Sequence, residues 1–137
     1  MAIPEQIPAV IVVTAWRDPV VEAHGYPPTS ALIEHCYCPI LGPTCTLLYR
    51  RLGTLAASGT ETALDVSEMS ASLGLGGGIG RTSIMVRSLA RLEMFDVAHW
   101  NAGHYAVRVA LPALPDRLLR RLPPSAREVH RRITQDR

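Results

Sequence analysis

Lysine is absent from this chain of 137 residues, and all fourteen of its basic residues are arginine. The absence excludes a phosphate-binding loop of the GxxxxGK[ST] type, a Schiff base on a lysine and a lysine general base. Pyridoxal-phosphate enzymes, which bind their cofactor through a lysine, are excluded with them.

Long apolar runs are also missing, although 47% of the residues are hydrophobic. The longest run, Pro8 to Val13 with an extension to Trp16, is far short of the roughly 20 residues that a membrane-spanning helix needs. The first six residues show neither the basic segment nor the cleavage pattern of a secretory signal. We therefore expect a cytoplasmic, single-domain protein that does not bind a membrane.

Cysteine is scarce, and its three copies, Cys36, Cys38 and Cys45, lie close together with His35. Four soft ligands in so short a segment make zinc an alternative, but no CxxC pair exists and the adjacent His35 and Cys36 are poorly placed for one ion. We expect structural thiols and no metal or cofactor. Cytosolic cysteines are usually reduced, which argues against a disulfide. A disulfide or redox role is the remaining alternative.

Charge is distributed unevenly along the chain. Residues 1–78 carry three arginines against seven carboxylates, a net charge of −4, whereas residues 79–137 carry eleven arginines against five, a net charge of +6. A polyanionic partner should therefore meet the C-terminal half.

The N-terminal part alternates prolines with helix-like segments. Residues 1–29 contain five prolines around an apolar stretch, which predicts an extended arm or an edge strand. A short helix is expected over residues 30–37 and should end before Pro39. A longer helix is expected from Pro43 to about residue 58, because proline suits the first helical position and Gly59 suits the stop.

The middle of the chain predicts two helices joined by a glycine-rich turn. Asp65 and Glu68 have the spacing of a capping box, which predicts a short helix ending at Gly74. The glycine run 74–80 fits neither a GxGxxG nor a Walker pattern, so a turn is the expected structure and a phosphate cradle the alternative. A second helix is expected from Arg81 to about residue 95, with Met85, Leu89 and Leu92 facing inward and its arginines facing outward.

A two-stranded hairpin is expected next, over residues 97–111, because apolar and polar residues alternate in its second strand. The predicted elements follow the order of a winged helix-turn-helix, which is helix, helix, short helix, turn, arginine-bearing helix and hairpin. We therefore predict a mainly α fold with a small β-hairpin (α+β). Its parts are an extended arm over 1–29, a winged helix-turn-helix domain over 30–111 and C-terminal helices over 112–137.

Arginine on the outward face of such a helix suits both guanine edges and phosphates. The expected contacts to DNA lie on the helix and on the polar face of the hairpin. They are Arg81, Thr82, Ser83, Arg87, Arg91, His104 and Arg108. Arg87 is expected to read bases and Arg108 to hold phosphate. The arginines of the C-terminal helix suit either a solvated surface or a partner.

Segments along most of the chain resemble a widespread actinobacterial group of winged helix-turn-helix proteins. They are WRDPVVE at 16–22, YCPILGPT at 37–44, LYRRL at 48–52, LGLG at 73–76, GRTS at 80–83, RSLARL at 87–92 and LPPS at 122–125, with His130. The chain departs from the group in the cysteines around Pro39. The resemblance implies DNA binding by analogy of fold, which is a weaker argument than a site.

These observations predict a protein that binds double-stranded DNA and regulates transcription, reading the major groove with residues 81–95 and contacting the backbone with the hairpin. A homodimer is expected, because dimers read two half-sites. We expect no enzymatic activity and no small-molecule substrate, since no catalytic constellation is visible. The alternative is a winged helix that docks a protein and does not bind DNA.

Overall fold

A four-stranded mixed sheet and seven α-helices make up residues 7–136, the part of the chain that the computed structural model describes. The helices are α1 (Pro19–His24), α2 (Cys38–Leu41), α3 (Pro43–Ala57), α4 (Val66–Ser72), α5 (Ile84–Met94), α6 (Asp116–Leu119) and α7 (Pro124–Gln135). The strands are β1 (Val10–Trp16), β2 (Thr62–Asp65), β3 (Ala98–Asn101) and β4 (His104–Arg108). The predicted α+β class is confirmed, and about 51% of the chain is helical. No helix in residues 7–136 is long and apolar enough to span a bilayer.

The strand β1 occupies the middle of the sheet, whose order is β2-β1-β4-β3. It pairs antiparallel with β2 and parallel with β4. The predicted extended structure is confirmed for residues 10–16, but residues 19–24 of the predicted arm form the helix α1, because Asp18 caps it and Pro19 suits its first turn. The predicted position of the strand at an edge is also wrong. Ile11 and Val13 are fully buried, and Pro8 and Pro19 flank the strand without interrupting it, so both of its edges can form hydrogen bonds.

The predicted small hairpin is therefore one half of a larger sheet. Its strands β3 and β4 form as expected, and the inward residues Tyr105, Val107, Val109 and Leu111 are all buried. The sequence pattern did not predict β2, because four residues between a turn and a capping box show no period of their own. The first six residues of the predicted arm lie outside the described part of the chain.

The helix expected over residues 30–37 does not end at Pro39. Residues 31–41 form one helical segment that widens into a π-helical turn at Ile33–Tyr37 before α2 begins. Proline falls in the first turn of α2, where its missing N–H is not needed. The chain then reverses at Gly42, whose φ of +88° favours glycine.

The helices α3 and α4 match their predicted bounds. The helix α3 ends before Gly59, which has a φ of +82°. Asp65 accepts a hydrogen bond from the Glu68 N–H at 3.0 Å, as the capping box predicts. Leu48, Leu52 and Ala56 on the inner side of α3 are buried, whereas Leu47 is 45% exposed.

The C-terminal helices fold back onto the N-terminal half. The helix α7 packs against the π-helical turn, and the Cys36 thiol donates to the Ala126 carbonyl at 3.5 Å. The buried His130 accepts a hydrogen bond from the Leu114 N–H at 3.0 Å. Burial lowers the pKa of His130, so the neutral imidazole that accepts this bond is the favoured form.

Candidate nucleic-acid interface

The helix α5 is held tightly on its inner side. The predicted inward residues Met85, Leu89 and Leu92 are all completely buried. The hydroxyl of Tyr105 on β4 donates to the Leu89 carbonyl at 2.7 Å, which joins α5 to the sheet. The position of the outward face of α5 relative to the hairpin is therefore set by packing and by a buried hydrogen bond.

The helix begins three residues later than predicted. Ser83 is its N-cap, with its hydroxyl accepting from the Val86 N–H at 3.3 Å and donating to the Gly80 carbonyl at 2.7 Å. Serine prefers this non-helical position, so Arg81 and Thr82 lie in the preceding turn. Both are exposed there.

The glycine-rich turn before α5 is fastened to α4. The hydroxyls of Ser67 and Ser70 donate to the carbonyls of Gly77 and Gly76 at 2.6 and 2.5 Å. Gly76 has a φ of +78°, a conformation in which a side chain would be strained. The first part of the turn is therefore fixed to α4.

The outward face of α5 carries two kinds of side chain. Arg87 is exposed near its centre. Around it lie three apolar side chains, with Ile84 at 48%, Met94 at 69% and Phe95 at 38% exposure. The one carboxylate of α5, on Glu93, accepts a hydrogen bond from the Trp100 N–H at 3.2 Å and so is directed toward β3.

The side chain of Arg87 forms no hydrogen bond or ion pair with any residue in the range 7–136. It lines an open groove of about 560 Å³ between α5 and the start of α3. The groove continues past Arg91 to the end of α2 at Leu41 and Gly42. The cation of Arg87 is thus available to a molecule that meets this face.

Arg91, although predicted as a DNA contact, is bound within the protein. Its Nε and Nη2 donate to the carbonyls of Leu41 and Ile40 at 2.9 and 3.1 Å. The guanidinium also lies 5.0 Å from the centre of the Phe95 ring. Because the last carbonyls of a helix lack partners within it, Arg91 caps α2 and fixes it to α5.

Arg108 is also committed, and it does not project into solvent as the strand alternation predicts. Its side chain is 14% exposed, forms an ion pair with Asp18 at 3.2 Å and donates from Nε to the Asp96 carbonyl at 2.7 Å. The guanidinium lies 3.7 Å above the centre of the Trp16 ring. The polar face of the hairpin strand is covered here because β1 lies beside it.

The hairpin that would form the wing ends in a tight turn. Ala102 and Gly103 have φ values of +49° and +85°, as a two-residue turn between right-twisted strands requires. His104 follows the turn with its side chain 42% exposed and its Nδ1 3.8 Å from the Glu61 carboxylate. Of the predicted hairpin contacts, only His104 is open to a partner.

Two of the three cysteines are buried, as expected for structural thiols. Burial raises the pKa of Cys36 to about 11, and it also raises the pKa of Cys45, whose thiol donates to the Ser88 carbonyl at 3.7 Å. Cys38 is half-buried. Residues 7–136 contain no group of three or more His, Cys, Asp or Glu side chains placed to hold a metal ion.

No protein-family model, curated protein or solved structure matches the chain. The resemblance to the actinobacterial winged helix-turn-helix group therefore stays a prediction.

The predicted contacts thus fall into two groups. Arg81, Thr82 and Arg87 are exposed on α5 or just before it, and His104 lies on the hairpin, whereas the hydroxyl of Ser83 is used in the N-cap. Arg91 and Arg108 bind within the protein instead. The exposed apolar residues of α5 were not predicted from the sequence. The helical spacing of Ile84 and Met94 with Arg87 and Arg91 places these two apolar residues on the outward face, and this spacing could have predicted their exposure.

Proposed function

We propose that this protein is a winged helix-turn-helix protein that binds double-stranded DNA, with α5 entering the major groove. The order α3, β2, α4, α5 and the hairpin β3–β4 supports the proposal, as does the glycine turn between α4 and α5, whose first part is fixed to α4. An α-helix fits the major groove, and a neighbouring hairpin reaches the adjacent backbone. Regulation of transcription and a homodimer on two half-sites stay predictions.

The observation that carries the proposal is the state of Arg87. Its guanidinium is exposed at the centre of the α5 face, has no partner in residues 7–136 and shares that face with no carboxylate. An arginine in this setting can donate two hydrogen bonds to O6 and N7 of guanine. Arg81 and Thr82 in the turn before α5 would contact the backbone next to it.

A second candidate function rests on the apolar residues of the same face. Ile84, Met94 and Phe95 are large apolar side chains exposed close to Arg87, and exposed apolar clusters mark protein-binding surfaces. On this view α5 docks a protein, and Arg87 meets an acidic group at the rim. Failure of the wild-type protein to bind any duplex at low salt would make this candidate the leading one.

The test of DNA binding uses a duplex selected from random sequence by the wild-type protein and a scrambled version of it. We expect Arg87→Ala to reduce the ratio of the two affinities by roughly 5- to 150-fold, since a bidentate arginine–guanine contact contributes about 1–3 kcal/mol of discrimination. Competition titration by fluorescence anisotropy measures both affinities.

Arg127→Ala is the matched control, because Arg127 is also exposed and also has no partner in the described residues, but lies on α7. Any contact that it makes to phosphate lowers both affinities equally and leaves their ratio unchanged. If Arg87→Ala also left the ratio unchanged, α5 would not be the reading element.

A further inference from the structure

Three arginines form a second basic surface, on α6 and the turn that follows it. Arg117, Arg120 and Arg121 recur at helical spacing and are all exposed. The opposite side of this segment is apolar: Leu118 and Leu119 are partly buried and Leu122 is buried. The leucines therefore anchor the segment to the core, and the arginines face away from it. We call these three residues the α6 arginines.

None of the α6 arginines forms an ion pair or a side-chain hydrogen bond with a residue in the range 7–136. Arg131 and Arg132 on α7 differ, because both lie within ion-pair distance of Glu128, at 2.5 and 3.8 Å. Like charges three and four residues apart repel one another. Three arginines beside one carboxylate, that of Asp116, leave a net positive cluster that fits an anionic partner.

One of the α6 arginines, Arg117, lies next to the C-terminal end of α5, and Arg120 and Arg121 follow it within four residues of the chain. Arg117 and Phe95 line the same groove, of about 250 Å³. Leu41, at the end of α2, lines this groove and also the groove beside Arg87. Arg87 and Phe95 are about 12 Å apart along the helix axis at 1.5 Å per residue. The major groove is also about 12 Å wide.

We propose that Arg117, Arg120 and Arg121 hold the phosphate backbone that borders the major groove entered by α5. The inference rests on the proposed function and adds to it a contact that does not distinguish one DNA sequence from another. A helix that reads bases through Arg87 brings its C-terminal end, and the α6 arginines with it, toward the phosphates at the rim of the groove. Arginine suits these phosphates through bidentate hydrogen bonds.

The experiment compares two double variants in duplex binding between low and physiological salt. Arg120→Gln/Arg121→Gln removes two unpaired arginines, and Arg131→Gln/Arg132→Gln removes two arginines that pair with Glu128. Both variants replace adjacent, exposed arginines and change the net charge equally. Circular dichroism and thermal unfolding confirm that each variant is folded.

We expect the log–log slope of affinity against salt to become shallower by about 1.8 in the first variant, since each lost phosphate contact contributes about 0.9. The slope of the control should change much less, and the preference for the selected over the scrambled duplex should be kept in both. Equal slopes in the two variants would overturn the inference but leave DNA binding through Arg87 intact. Absence of duplex binding by the wild-type protein would overturn the proposed function and the phosphate contact together.

Discussion

Replacing Arg108 separates a structural role from a phosphate contact. In Arg108→Met the side chain keeps its length over the Trp16 ring but loses its charge and its hydrogen bonds. The bond from Nε to the Asp96 carbonyl is 2.7 Å long, and a hydrogen bond from a charged group contributes about 1.5–3 kcal/mol. The contact of the guanidinium with Trp16 adds about 1 kcal/mol.

The expected loss in the free energy of unfolding is therefore about 2–4 kcal/mol, because the two contributions overlap. With a urea m-value of about 2 kcal/mol/M, the midpoint of unfolding should fall by about 1–2 M. Fluorescence of Trp16 and Trp100 follows the transition. Arg87→Met is the control, and a substitution at such an exposed site should change the free energy by no more than about 0.5 kcal/mol.

The opposite pattern would refute this reasoning. If Arg108→Met weakened DNA binding and left the urea midpoint within about 0.25 M of the wild-type value, Arg108 would be a phosphate contact after all. The ion pair with Asp18 supports the structural role. The pKa of Asp18 is lowered by the hydrogen bond from the Val21 N–H and, further, by Arg108. The stabilisation linked to this carboxylate is present above its unfolded-state pKa of about 3.9 and is lost as the pH falls through the lower folded-state value.

Three further predictions concern His130 and the cysteines. Because burial lowers the pKa of His130, the unfolded chain takes up a proton below about pH 6.5 that the folded protein resists, so stability should fall from pH 7 to pH 5. The urea midpoints at pH 7 and pH 5 should become more similar in His130→Gln but not in the exposed control His35→Gln. An unchanged pH dependence in His130→Gln would show that His130 is not its source. Under native conditions Cys38 should react with a thiol reagent in a fast phase, before the buried Cys36 and Cys45. Of the three single cysteine-to-serine variants, only Cys38→Ser should lose this fast phase. Serine in place of both buried cysteines should lower stability without abolishing duplex binding, and loss of binding in a folded variant would count against the structural role of these thiols.

Local signals determined much of the helical part of this protein. The cap at Asp65 and the stop at Gly59 depend on atoms within a few residues, so their positions follow from the sequence alone. The same holds for the inner face of α5, where Met85, Leu89 and Leu92 recur at helical spacing and are buried.

Tertiary structure decided which of the predicted contacts are available to a partner. The guanidinium of Arg91 binds carbonyls about fifty residues away in the chain, and that of Arg108 binds Asp18, which is ninety residues away. Neither contact is encoded locally. The carbonyls that bind Arg91 are at the end of α2, and Asp18 is brought to Arg108 by the non-local parallel pairing of β1 with β4. Periodicity shows which side of an element faces outward, but it does not show which outward side chain meets another part of the chain. Arg87 stays exposed because no other segment in residues 7–136 reaches the centre of the α5 face.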